Sequence, residues 1–292
     1  MRAIGVIPAR WKSSRFEGKV LANIMGKPML QHVWERAKES KILEDLIIAT
    51  DSERVMKTVE DFGGKAVYTS KDQPSGTDRI TEVINPIDVE VVVNIQGDEP
   101  LIHRTMIDSL ANALLEDKTI PMATVIKRIK SREEFLNPNV VKVVIDKESR
   151  ALYFSRSPIP HYRGTGEQHR SILDIQSWFS SHSFEPESQR YYKHIGIYAY
   201  SKDFLFTYTN LPKSSLEEIE KLEQLRALEN GYKIKTVETE FETIGVDTQE
   251  DLKKVERYLR GGTADLSPET ERESLPQAGN PAKESGQSLE ME

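Results

Sequence analysis

The chain has 292 residues, 37% hydrophobic and 30% charged, a composition with enough apolar surface to bury a core. It has no cysteine, which excludes disulfides, thiolate catalysis and cysteine-ligated zinc. From Gly261 onward seven acidic residues face two basic ones, so that stretch carries −5 of the net −7; the remainder, at −2, has no basic stripe suited to nucleic acid.

No apolar run reaches the length of a membrane span, and the opening residues run into strand-like sequence without a signal-peptide pattern. A cytoplasmic location and no membrane partner are therefore expected. RAIGVIP (2–8) predicts a first strand, PMLQHVWERAKES (28–40) a helix with Leu30, Val33, Trp34 and Ala37 on one face, and LIIAT (46–50) a second strand. SERVMKTVEDFG (52–63) reads as a helix, KAVYT (65–69) as a strand, TDRITEVIN (77–85) as a helix and VEVVVNIQ (89–96) as a strand. A helix at 105–117 and a strand at 122–129 continue the alternation. Strand and helix repeating over short connections predict a mostly parallel twisted sheet with helices on both faces, an α/β fold. Continuous apolar strands agree, since strands buried on both faces do not alternate.

The second half predicts a smaller α+β lobe that returns to the sheet. VVKVVID and ALYFSR form a hairpin, and HIGIYAYS (194–201) a strand. A helix beginning at Ser215, with Glu218 completing a capping box, runs to Gly231. YKIKTVETE (232–240) is a strand, and TQEDLKKVERYL (248–259) a closing helix with a Thr248/Asp251 capping box. The polar segment 164–190 is too long for an ordinary connection; it reads as a small helix or lid over a ligand, or as a mobile stretch. Residues 1–260 are expected to form one domain, and the Ser-, Pro-, Gly- and Glu-rich 261–292 a disordered acidic tail.

Ligands in such sheets bind at the carboxyl ends of the strands. That rim collects IPARWKSSRFEGKVL (7–21), ATDSE (49–53), SGTDR (75–79) and NIQGDEP (94–100). The first loop carries Arg10, Lys12, Arg15 and Lys19, and Arg10 and Lys19 suit a polyphosphate; a solvated basic loop is the plainer reading. Neither GxxxxGK[ST] nor GxGxxG occurs, which speaks against a P-loop ATPase and a nicotinamide oxidoreductase. Asp98 and Glu99 follow an apolar strand and face the cations, as a Mg²⁺ site would require, although Gly-Asp is also ordinary turn chemistry. Asp247 offers a second carboxylate just before a helix cap. Glu223 falls with Leu216, Ile219 and Ala227 on one helix side, where it would accept sugar hydroxyls or pair with a cation. Arg156 suits a bidentate grip on a carboxylate or a structural ion pair, and His194 has a similar double reading.

Taken in order, these motifs, together with GKPML, NPNVVKVV, YFSRSPIP, HIGIYAY, LEQLRALE and GVDTQEDL, resemble the 3-deoxy-manno-octulosonate (Kdo) cytidylyltransferase family. The resemblance spans residues 2 to about 259 except 164–190. Trp11 and Lys12 stand where the family usually has a small or aromatic residue and a glycine. It implies a nucleotide-diphospho-sugar transferase-like fold and a reaction of CTP with Kdo, giving CMP-Kdo and pyrophosphate for lipopolysaccharide biosynthesis, with Mg²⁺ as cofactor. It also implies roles. Arg10, Lys19 and Asp98 are catalytic, with Arg10 and Lys19 on the triphosphate. Ala9, Ser75, Gly76 and Arg79 lie by the nucleotide. Asp98 and Asp247 hold the metal. Gln96, Arg156, His194, Tyr198, Glu223 and Gln224 line the sugar-acid pocket, with Arg156 on the Kdo carboxylate. A homodimer is the usual assembly. The same chemistry on 8-amino-Kdo or another 2-keto sugar acid remains open, as does a catalytically silent nucleotide-binding protein.

Overall fold

The computed structural model describes residues 1–12, 16–161 and 191–261. Arg15, the lid reading of 164–190 and the disordered tail lie outside the described residues, apart from Gly261. In chain order the elements are β1 (Ala3–Ala9), a 3₁₀ turn (Lys19–Leu21), β2 (Asn23–Ile24), β3 (Lys27–Pro28), α1 (Met29–Lys38), β4 (Asp45–Thr50), α2 (Glu53–Asp61) and β5 (Lys65–Tyr68). There follow α3 (Gly76–Ile84), β6 (Val91–Asn94), α4 (Arg104–Glu116), β7 (Met122–Arg128), α5 (Arg132–Leu136), β8 (Lys142–Ile145) and β9 (Ala151–Ser155). The last are β10 (Tyr192–Ser201), α6 (Lys202–Asn210), α7 (Ser215–Glu220), α8 (Leu225–Glu229), β11 (Ile234–Glu238) and α9 (Gln249–Leu259).

The main sheet runs β11-β7-β10-β6-β1-β4-β5. β5, β4, β1 and β6 are parallel, as the apolar runs predict. β10 enters antiparallel between β6 and β7, so the expected lobe is largely the continuation of this sheet. Side chains of β1 alternate between the two covering layers. Ala3, Ile7 and Ala9 pack with Leu30 and Val33 of α1 and Met106 and Leu110 of α4. Ile4 and Val6 pack with Ile80 and Ile84 of α3 and with Phe204 and Tyr208 of α6. Each buried Ile or Leu stabilises this sandwich by roughly 1.5–3 kcal/mol.

β10 changes partner along its length. Tyr192 and Lys193 pair with β8, whereas Tyr198–Ser201 pair with β6. Between them the register against β7 slips at Ile195/Tyr198, a bulge. β6 and β8 therefore abut different ends of one strand, and the residues between, beginning with His194, face the gap.

The single helix expected from Ser215 to Gly231 is two short helices. Its cap lies one residue earlier, a Ser214/Glu217 box. Lys221 then turns left-handed at φ 54 and ends α7. The carbonyls released there are taken by tertiary donors: Arg156 Nε donates to Glu220 O at 2.9 Å and the Tyr208 hydroxyl to Glu223 O at 2.7 Å. Ile219 is consequently 76% exposed, not part of a buried face. The closing helix has the predicted Thr248/Asp251 box.

Candidate active site

The carboxyl ends of β1 and β6 converge because Gly97 permits it: a Cβ there would stand 3.1 Å from the Pro8 carbonyl. Beside them opens a cavity of about 410 Å³ lined by Pro8, Arg10, Lys12, Lys19, Gly76, Gln96, Gly97 and Asp98 among others. Arg10 and Lys12 also line an adjoining cavity of about 860 Å³, bounded by Trp11, Asp51, Arg54, Tyr68 and Lys71. One cationic edge thus serves both. α3 begins at Gly76, capped by Ser75, whose hydroxyl accepts from Asp78 N at 3.1 Å. The first N–H groups of that helix open on the smaller cavity, where backbone dipoles favour an anion.

Trp11 closes the first loop. Its carbonyl accepts from Gly18 N at 2.9 Å, its indole N–H donates to Glu17 at 3.0 Å, and its ring lies on Gly18. Gly18 has φ +68, and a Cβ there would meet the ring at 2.8 Å. Lys19 follows directly and is delivered to the rim.

Lys19 is the centre of the charge arrangement. Its Nζ lies 2.6 Å from Asp98 Oδ2 and 3.1 Å from Asp247 Oδ1, and it also donates to Val246 O at 3.2 Å. Burial opposes its charge, and Asp98 and Asp247 overcome that, leaving it above the ordinary lysine value. The two loops carrying the carboxylates are tied by Val246 N to Asp98 O, 2.9 Å. Beneath them Glu99 has one carboxyl oxygen against Gly245 and the other without a hydrogen-bond partner. Burial, then the neighbouring Asp98 charge, pushes Glu99 up to about 8.

Arg10 extends over the rim with one nitrogen 3.4 Å from Pro74 O and the other terminal nitrogen buried and unpartnered. Burial and then Arg79 lower its pKa. Gln224 is 2% exposed; its oxygen accepts from the Tyr198 hydroxyl at 3.1 Å, and its amide nitrogen has no partner. Unsatisfied buried donors are rare in native folds. Two of them here, near the strand ends, belong to a guanidinium and an amide, the groups that take phosphate and hydroxyl oxygens.

His194 and Tyr198 sit at the β10 bulge with rings 5.4 Å apart, and Phe154 of β9 presents its edge to His194 at 5.1 Å. His194 Nε2 lies 2.9 Å from Thr124 Oγ1, which also lies 2.9 Å from the Ile197 carbonyl. With the hydroxyl proton given to that carbonyl, Thr124 accepts from a neutral imidazole Nε2–H. Burial pushes His194 down to about 3. Glu223 stands in the turn between α7 and α8, close enough to Arg10 to feel its charge; burial, the largest influence, raises its pKa.

The structure therefore brings together Arg10, Lys19, Gly76, Gln96 and Asp98 around one cavity, with Asp247 on Lys19. It groups His194, Tyr198 and Gln224 beside it. Glu223 reaches the site from a turn, not from a helical face. Two residues differ from expectation. Arg79 is fully buried beneath the rim, its guanidinium on Asp51 at 2.9 Å and on Thr69, so it supports the loop from below and does not face the cavity. Arg156 spends Nε on Glu220 O and a terminal nitrogen on Pro138 O at 3.1 Å, so it ties two turns together instead of offering a free fork. Ala9 is buried, leaving only its backbone for contact. Missed in the sequence were the buried, unpartnered carboxyl oxygen of Glu99 and the buried lysines Lys127, Lys142 and Lys193. Their signal was a lysine inside an apolar strand, as in ATVIKRI, VVKVV and YYKHIG.

The cytidylyltransferase family profile matches residues 4–235. The chain is 48% identical over 260 residues to the 3-deoxy-manno-octulosonate cytidylyltransferase of Geotalea uraniireducens, covering 89% of this chain and 100% of that one. It is similar to a solved CMP:2-keto-3-deoxy-manno-octonic acid synthetase complexed with CTP, at 42% identity and TM-score 0.78, covering 89% and 99% of the two chains. A 4-diphosphocytidyl-2C-methyl-D-erythritol synthase from Anaerococcus prevotii shares the fold alone, at 16% identity and TM-score 0.53 over 89% and 99%.

Proposed function

The chain belongs to the cytidylyltransferase family, and we propose from that premise that it joins CTP to Kdo, giving CMP-Kdo and pyrophosphate. The observation that carries this for the site is Lys19 held between Asp98 and Asp247 at the mouth of the cavity that Arg10 lines. Triphosphate in the smaller cavity meets Arg10, Lys12, Lys19 and the α3 N-terminus; the base and ribose extend beside Ser75, Gly76 and the Ala9 backbone, over the loop that Arg79 braces. Gln96, His194, Tyr198, Glu223 and Gln224 receive the sugar acid. Arg156 keeps one terminal nitrogen for its carboxylate.

Transfer needs the sugar's anomeric hydroxyl in line with the α-phosphorus and charge placed where pyrophosphate departs. His194, being neutral, orients a hydroxyl through hydrogen bonds and does not act as a charged acid. Two carboxylates on one cation are the donor set that Mg²⁺ takes when phosphates and water complete its shell, and the ammonium of Lys19 stands in for such a cation here. Among the described residues no group of three His, Cys, Asp or Glu could hold a metal by itself. Asp98 and Asp247 would hold Mg²⁺, whose chemistry is to neutralise the phosphate oxygens as the leaving group departs. No helix of the described residues is long and apolar enough to cross a membrane. A homodimer is the expected assembly.

The test is pyrophosphate release from the purified protein with CTP, Mg²⁺ and Kdo, run beside 8-amino-Kdo, N-acetylneuraminate and no sugar. Release with Kdo is expected. Release only with another acid overturns the pocket assignment, and release with none favours a nucleotide-binding protein without turnover.

A further inference from the structure

Asp247 lies at the end of a segment with no helix or strand of its own, from Thr239 to Asp247. Such a stretch does not place a carboxylate to a fraction of an ångström unless something fixes it. Its backbone is tied at the near end by Val246 N to Asp98 O at 2.9 Å and Asp247 N to Asp251 Oδ2 at 3.2 Å, and its charged anchor is Glu242. One Glu242 oxygen lies 2.6 Å from Lys193 Nζ, and the other 3.0 Å from Lys127 Nζ. Lys127 also donates to Glu240 O at 2.8 Å, and Lys193 is bound by Glu134 of α5. Both lysines are nearly buried, 6% and 8% exposed. Two positive and two negative charges thus form a neutral, largely dry cluster, the condition under which buried charges are tolerated.

The cluster is placed between the two halves of the site. Lys193 is the β10 residue directly before His194. Lys127 ends the core of β7, and Glu242 leads through Ile244 and Val246, 6% and 1% exposed, to Asp247. Phe241 stacks on His103 at 3.6 Å, clamping the other side of the same segment to the loop after Glu99. Gly245 then passes so close to Glu99 that a Cβ would stand 3.1 Å from its carboxyl oxygen. We propose that Glu242, anchored by Lys193 and Lys127, is a positioning residue that sets Asp247 opposite Asp98 and couples this carboxylate pair to the sugar-acid strand β10. This rests on the reading that Asp98 and Asp247 hold the divalent cation.

The experiment measures Mn²⁺ binding to the full chain with CTP and no sugar, by water-proton relaxation, alongside CTP affinity without metal and the melting temperature. Glu242→Gln is expected to weaken Mn²⁺ about tenfold, the scale on which outer partners of metal ligands act, with metal-free CTP affinity held within about twofold. Asp247→Asn weakens Mn²⁺ as well, and adding Glu242→Gln to it changes little, because the two act through one group. Glu134→Gln removes a carboxylate from the far side of the cluster and is expected to leave Mn²⁺ binding near wild type. If Glu242→Gln does not fold, Glu242→Asp, shorter by one methylene, is read instead and is expected to fall between the two. A lower melting temperature with unchanged Mn²⁺ binding, or an equal loss in Glu134→Gln, overturns the proposal. If Asp247→Asn leaves Mn²⁺ untouched, the metal reading itself fails, and the positioning role with it. If Asp247→Asn weakens Mn²⁺ and Glu242→Gln does not, the positioning role alone fails.

Discussion

Lys19 and His194 carry the sharpest consequences of single side chains. Lys19→Met removes the ammonium that meets both carboxylates and leaves Asp98 and Asp247 as unrelieved like charges. Turnover is expected to drop about 10²–10³-fold, the scale of losing one preorganised charge-stabilising donor; steady-state pyrophosphate release checks this, and unchanged turnover sinks the assignment. His194 titrates near 3 in the fold, against an ordinary histidine value of 6.5. The unfolded chain therefore takes up its proton first as pH falls. Its contribution to stability is present above about pH 6.5 and is lost on acidification toward 3. Between pH 6.5 and 5 Glu99, held up at about 8, works in the opposite sense, so the test is a difference: as pH drops, the urea midpoint of the wild type is expected to fall relative to that of His194→Gln. The cations, Asp98 and Asp247 were legible in the sequence because a strand's end followed by charge is a readable pattern. How Arg79 and Arg156 are held was not legible, because a sequence names a guanidinium but not the carbonyls and carboxylates that claim it.

The elements were legible where the local signal and the final contact agree. Thr248 and Asp251 announce the closing helix and form its cap. The short hairpin β2–β3 was missed, although Met25 and Gly26 supply the two positive φ values, 49 and 88, that a tight turn asks for. α6, reading KDFLFTYTN, was missed because aromatic and threonine residues are indifferent helix formers held by packing. The break at Lys221 has no glycine or proline to signal it. It is held by Tyr208 of the preceding helix and by Arg156, far away in the chain. Tyr208→Phe leaves the Glu223 carbonyl without that donor and is expected to cost about 1–3 kcal/mol, read from chemical denaturation. Because Glu223 and Gln224 sit in the turn it pins, the KM for the sugar acid should rise more than that for CTP; equal changes in both would contradict the role of the turn.

At the scale of the whole molecule, one sheet carries both halves of the site, and β10 is the strand that joins them. Its bulge separates the pairing with β8 from the pairing with β6, so both ends of β10 belong to one continuous sheet. The relative from Geotalea uraniireducens aligns along its full length to 260 residues of this chain. A protein ending after Gly261 is therefore expected to fold and to release pyrophosphate within about twofold of the full chain, measured side by side. A large loss would assign the acidic stretch a part in the reaction.

Lys19 also has a consequence for the order in which components assemble. A tethered ammonium already satisfies Asp98 and Asp247, and it competes at the high effective concentration of any intramolecular group. A divalent ion that would take both carboxylates has to evict it, and a polyphosphate arriving beside Arg10 gives the evicted charge a new partner. Metal titrated into the free protein should bind poorly and then tighten when CTP is added. By reciprocity the metal should tighten CTP by the same factor. The resting protein would then carry its own counter-ion, one that the nucleotide triphosphate unlocks.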